Sequence, residues 1–244
     1  MRLILAALLT LTTASALAQP AGKPKLGPDA VPIFDNLDYL RRTPATDYWL
    51  LVNFHAQQPT PNGSSVAAAV MAVNALLGTP RLADEQILDA TGLMAQVANQ
   101  KWSSDIGPEG RGATFGEFGT NLRESFNAVG LEAATVAATT PADAEPASLD
   151  AFRAALSANE ASGKDVMLVY FDRGVVTGDR GGAHISPVGA YDEAQDLVLI
   201  MDVDREWYIP YWTSATTLLV ALVQPAASGP LAGERGGYFL VARP

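Results

Sequence analysis

The chain has no cysteine and only two histidines, His55 and His184. These scarcities remove thiolate and Cys/His metal sites, and without disulfides the fold must hold by packing alone. Positive charge is also thin: 16 Lys and Arg face 26 Asp and Glu, a formal net charge of −10, one unit more negative without Arg2. The acidic excess is spread without long blocks, so nucleic acid and anionic membrane are excluded as partners. Beyond the N-terminus no apolar stretch reaches the roughly 18–20 uncharged residues of a spanning helix.

What is present begins with an address label. Arg2 precedes an apolar run from Leu3 to Leu11, and Ala16-Leu17-Ala18 ends just before Gln19. The pattern predicts a signal peptide over residues 1–18 and a mature chain that is periplasmic or secreted. The remainder suffices for one core, and nothing marks a second. Gln19 to about Pro32, rich in Pro, Gly and Lys without apolar periodicity, reads as an extended leader. The expected division is an extension over 19–44 and a single domain over 45–244.

Apolar spacing predicts short helices over Asp35–Arg42 and Thr46–Phe54. Ser64–Leu77, filled with Ala, Val and Met after the turn Asn62-Gly63, predicts a helix buried on nearly all sides. Leu82–Asn99 reads as an amphipathic helical region with a break at Gly92. Thr114 and Glu117 form a Thr-x-x-Glu box that opens a helix closed by Gly130, and Ser148 or Asp150 starts another that runs to about Asn159. Strand patterns follow at Val166–Phe171, His184–Tyr191, Leu197–Asp202 and near Tyr238–Val241. Helices first and sheet second predict an α+β architecture, a helical half packed on a mostly antiparallel sheet half.

The segment Asp192 to Asp196 is turn-like between apolar flanks, so a hairpin follows. His184 and Asp202 then lie near each other at its open end, and alternation can put Ser186 and Ile200 on their face. A carboxylate beside an imidazole fixes its tautomer and leaves the other ring nitrogen as a base; a surface His–Asp contact of no consequence is the other reading. Ser64 at the start of a buried helix meets unpaired backbone N–H groups and the positive end of the helix dipole, a place for an oxyanion. Gln58, six residues earlier, can add a side-chain donor. Equally, Ser64 or Ser65 can be a helix cap worth about 1 kcal/mol.

These residues carry a resemblance. Gln58 to Leu76, Q-P-T-P-N-G-S-S-V-A-A-A-V-M-A-V-N-A-L, resembles the phytochelatin synthase pattern in which Gln is followed six residues later by Cys-Gly (or Ser)-Val-Ala-Ser and then V-M-V-L-N-A-L. Gly182 to Trp212 carries G-A-H-I-S-P-V-G-A-Y and L-I-M-D-V-D-R-E-W-Y-I-P-Y-W, similar to that family's histidine and aspartate motifs. Gly112-Ala113-Thr114-Phe115 and Leu149-Asp150-Ala151-Phe152-Arg153 resemble two helix starts of the same family. The order nucleophile, His, Asp and the lack of G-x-S-x-G argue against an α/β-hydrolase.

The resemblance implies a papain-like fold and a glutathione γ-glutamylcysteinyltransferase or peptidase, with glutathione or other γ-glutamyl peptides as partners. It puts Ser64 on the nucleophilic cysteine, His184 and Asp202 on the catalytic pair and Gln58 on the oxyanion donor, although the proline-rich loop leaves Gln57 open for that part. Ser65, Gly182 and Arg205 fall on substrate-binding ground, with Arg205 open to a surface ion pair instead. No metal site or cofactor is implied; metals such as cadmium or zinc enter as glutathione thiolate complexes. A serine hydroxyl, unlike a thiolate, needs base help during attack. An inactive relative that binds γ-glutamyl peptides, a readjusted serine hydrolase and a Cys-to-Ser trap are the three readings. Trp207, Tyr208, Tyr211 and Trp212 form core or a groove wall, and His55 is read as structural.

Overall fold

The computed structural model describes residues 23–243. The expected signal peptide lies outside the described residues. Along the chain come β1 (Ala30–Pro32), α1 (Asp38–Arg42), α2 (Thr46–Leu51), α3 (Ser64–Leu77), α4 (Ala90–Val97), α5 (Gln100–Asp105) and α6 (Phe115–Ala128). Then follow β2 (Thr135–Thr139), α7 (Pro146–Ser162), β3 (Asp165–Asp172), α8 (Arg173–Thr177), β4 (Ala183–Asp192), β5 (Leu197–Ile200), β6 (Tyr211–Ser214), α9 (Ala215–Val223) and β7 (Gly237–Ala242). Among the described residues the strands form one sheet in the order β1-β6-β5-β4-β3-β7-β2. Every neighbouring pair is antiparallel. The class is α+β, as the pattern of elements predicts.

Strand β3 shows how the sheet divides the core. Val166, Leu168 and Tyr170 face the cluster built on α3, α4 and α6, while Met167, Val169 and Phe171 face the one built on α7 and α9. Successive side chains of a strand point to opposite faces, so a run apolar at every position belongs to a sheet covered on both sides. The helices therefore occupy two layers. Of the second layer, α7 is among the expected helices and α9 is not, because Ala215–Val223 is apolar at every position except Thr216 and Thr217 and shows little polar face.

Helix α3 is buried from Ser64 to Leu76. Its one buried amide, Asn74, donates to the Leu88 carbonyl at 2.9 Å and accepts from the Leu88 N–H at 3.1 Å. That pair holds the 78–89 loop against the helix and corrects the expected helix over Leu82–Asn99. Residues 82–89 are irregular; Asp89 caps α4 through the Gly92 N–H at 2.7 Å, and Asn99 caps α5 through the Trp102 N–H at 2.9 Å. Gly92 thus sits in a first turn and breaks nothing. The box at α6 forms as expected, with Glu117 N–H on Thr114 Oγ1 at 3.3 Å and Thr114 N–H on Glu117 Oε2 at 3.0 Å.

β1 and β2, like α8, β6 and α9, lie where no regular structure is expected. β1 pairs with β6, and Ile33 and Leu40 enter the main core, so part of the presumed leader and extension belongs to the folded unit. β2 takes up part of the alanine-rich stretch as an edge strand on β7, its register fixed by a partner about a hundred residues away.

Candidate active site

The site sits where the start of α3 meets the ends of β3 and β4. Gly63 is the N-cap of α3 and no side chain caps the helix, so Ser64 is its first helical residue and the cap reading of Ser64 and Ser65 falls away. A Cβ on Gly63 would stand 2.7 Å from Pro59 Cδ, so only glycine lets the proline-rich loop fold this tightly over the helix start. The first-turn N–H groups and the helix dipole are aimed past Ser64. Ser65, expected to meet substrate, lies instead in the core: it is 1% exposed, and its hydroxyl accepts the Trp102 indole N–H at 2.9 Å.

Across from α3, the β4–β5 hairpin delivers His184 and Asp202. Its turn is tied by Asp192 and by Asp196, which accepts Arg153 Nε at 2.9 Å and Nη2 at 2.6 Å. A bulge between Val188 and Ala190 sets the register, with Val188 opposite Ile200. Gly189 stands in the bulge, where a Cβ would meet Met201 Cγ at 2.8 Å. His184 Nε2 donates to Asp202 Oδ1 at 2.9 Å, which leaves Nδ1 as the ring's free nitrogen. The same carboxylate accepts the Asp204 N–H at 2.8 Å and, through Oδ2, the Tyr211 hydroxyl at 2.9 Å. Burial drives the Asp202 carboxyl upward, but the adjacent His184 ring, the hydrogen bonds from His184 and the Asp204 N–H, and the Arg173 guanidinium outweigh it and hold the carboxyl at about 2. It is an anion across the physiological range.

Ser64 and His184 border one cleft of about 120 Å³. No hydrogen bond joins them in this resting state, and attack by Ser64 requires that contact to close. Gly182, at φ +118°, forms part of the wall, and its N–H donates to Asp172 Oδ1 at 3.1 Å. Asp172 also accepts from Gly174 N–H at 2.8 Å and Ala227 N–H at 2.6 Å, so one carboxylate ties together three wall segments. Gln58 is buried with its Oε1 unpartnered, whereas Gln57 is exposed with its amide nitrogen on the Gln58 carbonyl at 3.0 Å. Gln58 borders an adjoining cleft of about 160 Å³, separated from the first by Pro61 and Arg173, which border both.

Arg205 is not brought to either cleft; its Nη1 donates to the His55 carbonyl at 3.0 Å from an exposed position. The arginines of the Ser64–His184 cleft are Arg111 and Arg173, the latter held by Asp204 Oδ2 at 2.6 Å. Sequence reasoning missed both, together with Tyr170, whose buried hydroxyl has no partner. The pairing of Phe171 with His184 explains Arg173: two residues past that pair, the chain is already at the cleft. Of the aromatic cluster, Tyr211 and Trp212 are fully buried core, and Trp207 is 42% exposed on the adjoining cleft.

Tyr211→Phe tests the support of Asp202 without altering the packing volume. Removing the hydroxyl leaves a buried carboxylate oxygen without its donor, which is expected to lower stability by about 1–3 kcal/mol in urea unfolding.

A hydroxyl at a helix terminus and a histidine–carboxylate pair on a facing hairpin thus border one cleft of an α+β domain. The phytochelatin synthase family model matches residues 37–229, most of the chain, and the chain belongs to the phytochelatin synthase family. It is similar to glutathione gamma-glutamylcysteinyltransferase 1 of Arabidopsis thaliana, 36% identical over 78 residues, 32% of this chain and 15% of that protein. Glutathione gamma-glutamylcysteinyltransferase 1 of Lotus japonicus is 25% identical over 205 residues, 81% of this chain and 36% of its own length. The enzyme numbered 3 from the same plant is 25% identical over 205 residues, 80% of this chain and 37% of its own. The chain thus spans little more than a third of the length of these Lotus relatives.

Proposed function

We propose that the chain is a glutathione γ-glutamylcysteinyltransferase or peptidase that works through an acyl-enzyme on Ser64. The observation that carries this reading is the shared cleft of Ser64 and His184, with Asp202 behind the imidazole. Ser64 Oγ attacks the carbonyl of the cysteinyl–glycine bond while its proton passes to His184 Nδ1. The first-turn N–H groups of α3 and the Gln58 amide stabilise the oxyanion. His184 then gives its proton to the glycine nitrogen, the C–N bond breaks and glycine leaves. Water, or the amine of a second glutathione, attacks the γ-glutamylcysteinyl ester, losing a proton to His184, and Ser64 recovers its own. Asp202 orients the ring and balances its charge throughout. The names of the relatives support glutathione as substrate. Metals act on this reading as thiolate complexes of the substrate.

A second reading is an inactive relative that holds γ-glutamyl peptides, favoured by the serine and by its open contact with His184. One pair of assays separates the two. Incubation with glutathione is expected to release glycine from the mature protein and none from His184→Ala. A rise in melting temperature with glutathione but no glycine identifies the binding protein, since ligand at about a hundred times Kd adds about 2.7 kcal/mol.

Export belongs to the same proposal. The apolar run after Arg2 supports a cleaved leader, and N-terminal sequencing of protein from the periplasmic or external fraction is expected to begin at Gln19. A retained Met1 refutes it.

A further inference from the structure

We infer that His55 is a positioning residue for Asp202, a role that rests on the reading of His184 and Asp202 as the catalytic pair. The ring of His55 donates from Nε2 to the backbone carbonyl of Asp202 at 2.9 Å. Two further bonds run between the same segments: Gln58 N–H donates to the Val203 carbonyl at 2.8 Å, and Arg205 Nη1 donates to the His55 carbonyl at 3.0 Å. Residues 55–58, which lead into the loop before Ser64, and residues 202–205, which carry the carboxylate, are therefore clasped at three points. β5 ends at Ile200, so the sheet ladder does not itself hold Asp202. The clasp replaces it at the residue on which His184 depends.

The chemistry of the donor suits the task. A carbonyl only accepts, so His55 Nε2 carries a hydrogen. Burial pushes the His55 ring below the usual imidazole range, with Arg205 acting in the same direction against the Asp202 contacts. At neutral pH the ring is therefore an uncharged donor. It fixes the backbone of Asp202 without adding a further cation beside the anion that must balance His184. His55 lines neither cleft and touches no reacting atom.

Three proteins test the inference: wild type, His55→Phe, which fills the space without a donor, and His55→Gln, whose amide restores one. With two histidines in the chain, each His55 variant leaves a single imidazole, and the His184 Nε2–H signal is read directly by proton NMR. Bonded to a carboxylate, that proton resonates far downfield. It is expected to move upfield or vanish in His55→Phe and to return in His55→Gln. In step, kcat for glycine release falls about tenfold to a hundredfold in His55→Phe with KM little changed, and recovers in His55→Gln. An unchanged signal in His55→Phe, or equal loss in both variants, overturns the role and leaves His55 as packing. Should His55→Phe fail to accumulate folded, the smaller His55→Leu removes the same donor, and an unmoved His184 signal there again overturns it. If wild type releases no glycine, the proposed activity fails while the NMR comparison still decides the role of His55.

Discussion

Replacing Ser64 with cysteine is expected to raise glycine release from glutathione by about a hundredfold or more. The serine hydroxyl stays protonated at neutral pH and attacks only with base help, a contribution on the order of 10²- to 10⁴-fold in proton-transfer catalysis. A thiol in the same place meets the uncapped start of a 14-residue helix, whose dipole and free N–H groups favour an anion. His184 borders the same cleft, and its imidazolium form stabilises the thiolate. The thiolate forms before substrate arrives, so the proton transfer is removed from the attack. Mass spectrometry is expected to find a γ-glutamylcysteinyl thioester in Ser64→Cys at early times. A cysteine variant as inert as the serine protein, although folded, removes the acyl-transfer assignment.

Much of that argument is legible in the amino-acid sequence. The buried helix at Ser64 follows from a run, Ser64–Leu77, that holds no charged residue, and the turn places His184 and Asp202 at the same end of a hairpin. The bulge at Gly189 was not readable: it adds one residue to β4 and shifts the partners between the turn and the site. That shift makes the pairing: in the register of the turn, Asp192 with Leu197, His184 and Asp202 would point to opposite faces, whereas beyond the bulge Val188 joins Ile200 and brings His184 and Asp202 onto one face.

The arginines show what spacing cannot give. Arg205 stands beside Asp202 in sequence, within a motif, and so reads as the substrate cation. The turn after Asp202, bonded from Trp207 and Tyr208 N–H back to the Asp204 carbonyl at 2.9 Å each, carries Arg205 outward to the surface. Arg173 precedes His184 by a whole helix and loop, yet the antiparallel ladder of β3 and β4 returns it to the cleft. Local order in the chain predicts neighbours along an element; a long-range register decides which element ends share a cavity. The same reason hides Tyr170, one of an unbroken apolar run whose two faces look alike until α3 is known to cover one of them.

Asp47 is a buried carboxyl with no role in that cleft, and Asp47→Asn is expected to stabilise the protein above neutral pH by several kcal/mol. The side chain is 1% exposed, and neither carboxylate oxygen has a hydrogen-bond partner. Asn159, across on α7, gives its amide to Asp165 at 3.0 Å instead. Burial first, then the charges of Glu160 and Asp165, push the Asp47 carboxyl up from 3.8 to about 8. The folded protein thus binds a proton there that the unfolded chain releases near the ordinary carboxylate value. The stability this supplies is complete below about pH 4 and is lost as pH rises towards about 8, at a limiting slope of about 1.4 kcal/mol per pH unit. Asparagine is neutral throughout and can donate to the neighbouring carboxylates. In urea unfolding, wild type and Asp47→Asn are expected to be close at about pH 4 and to diverge steadily up to about pH 8, the variant standing higher. Parallel curves would mean that Asp47 keeps its charge when folded and that water or a neighbour reaches its oxygens.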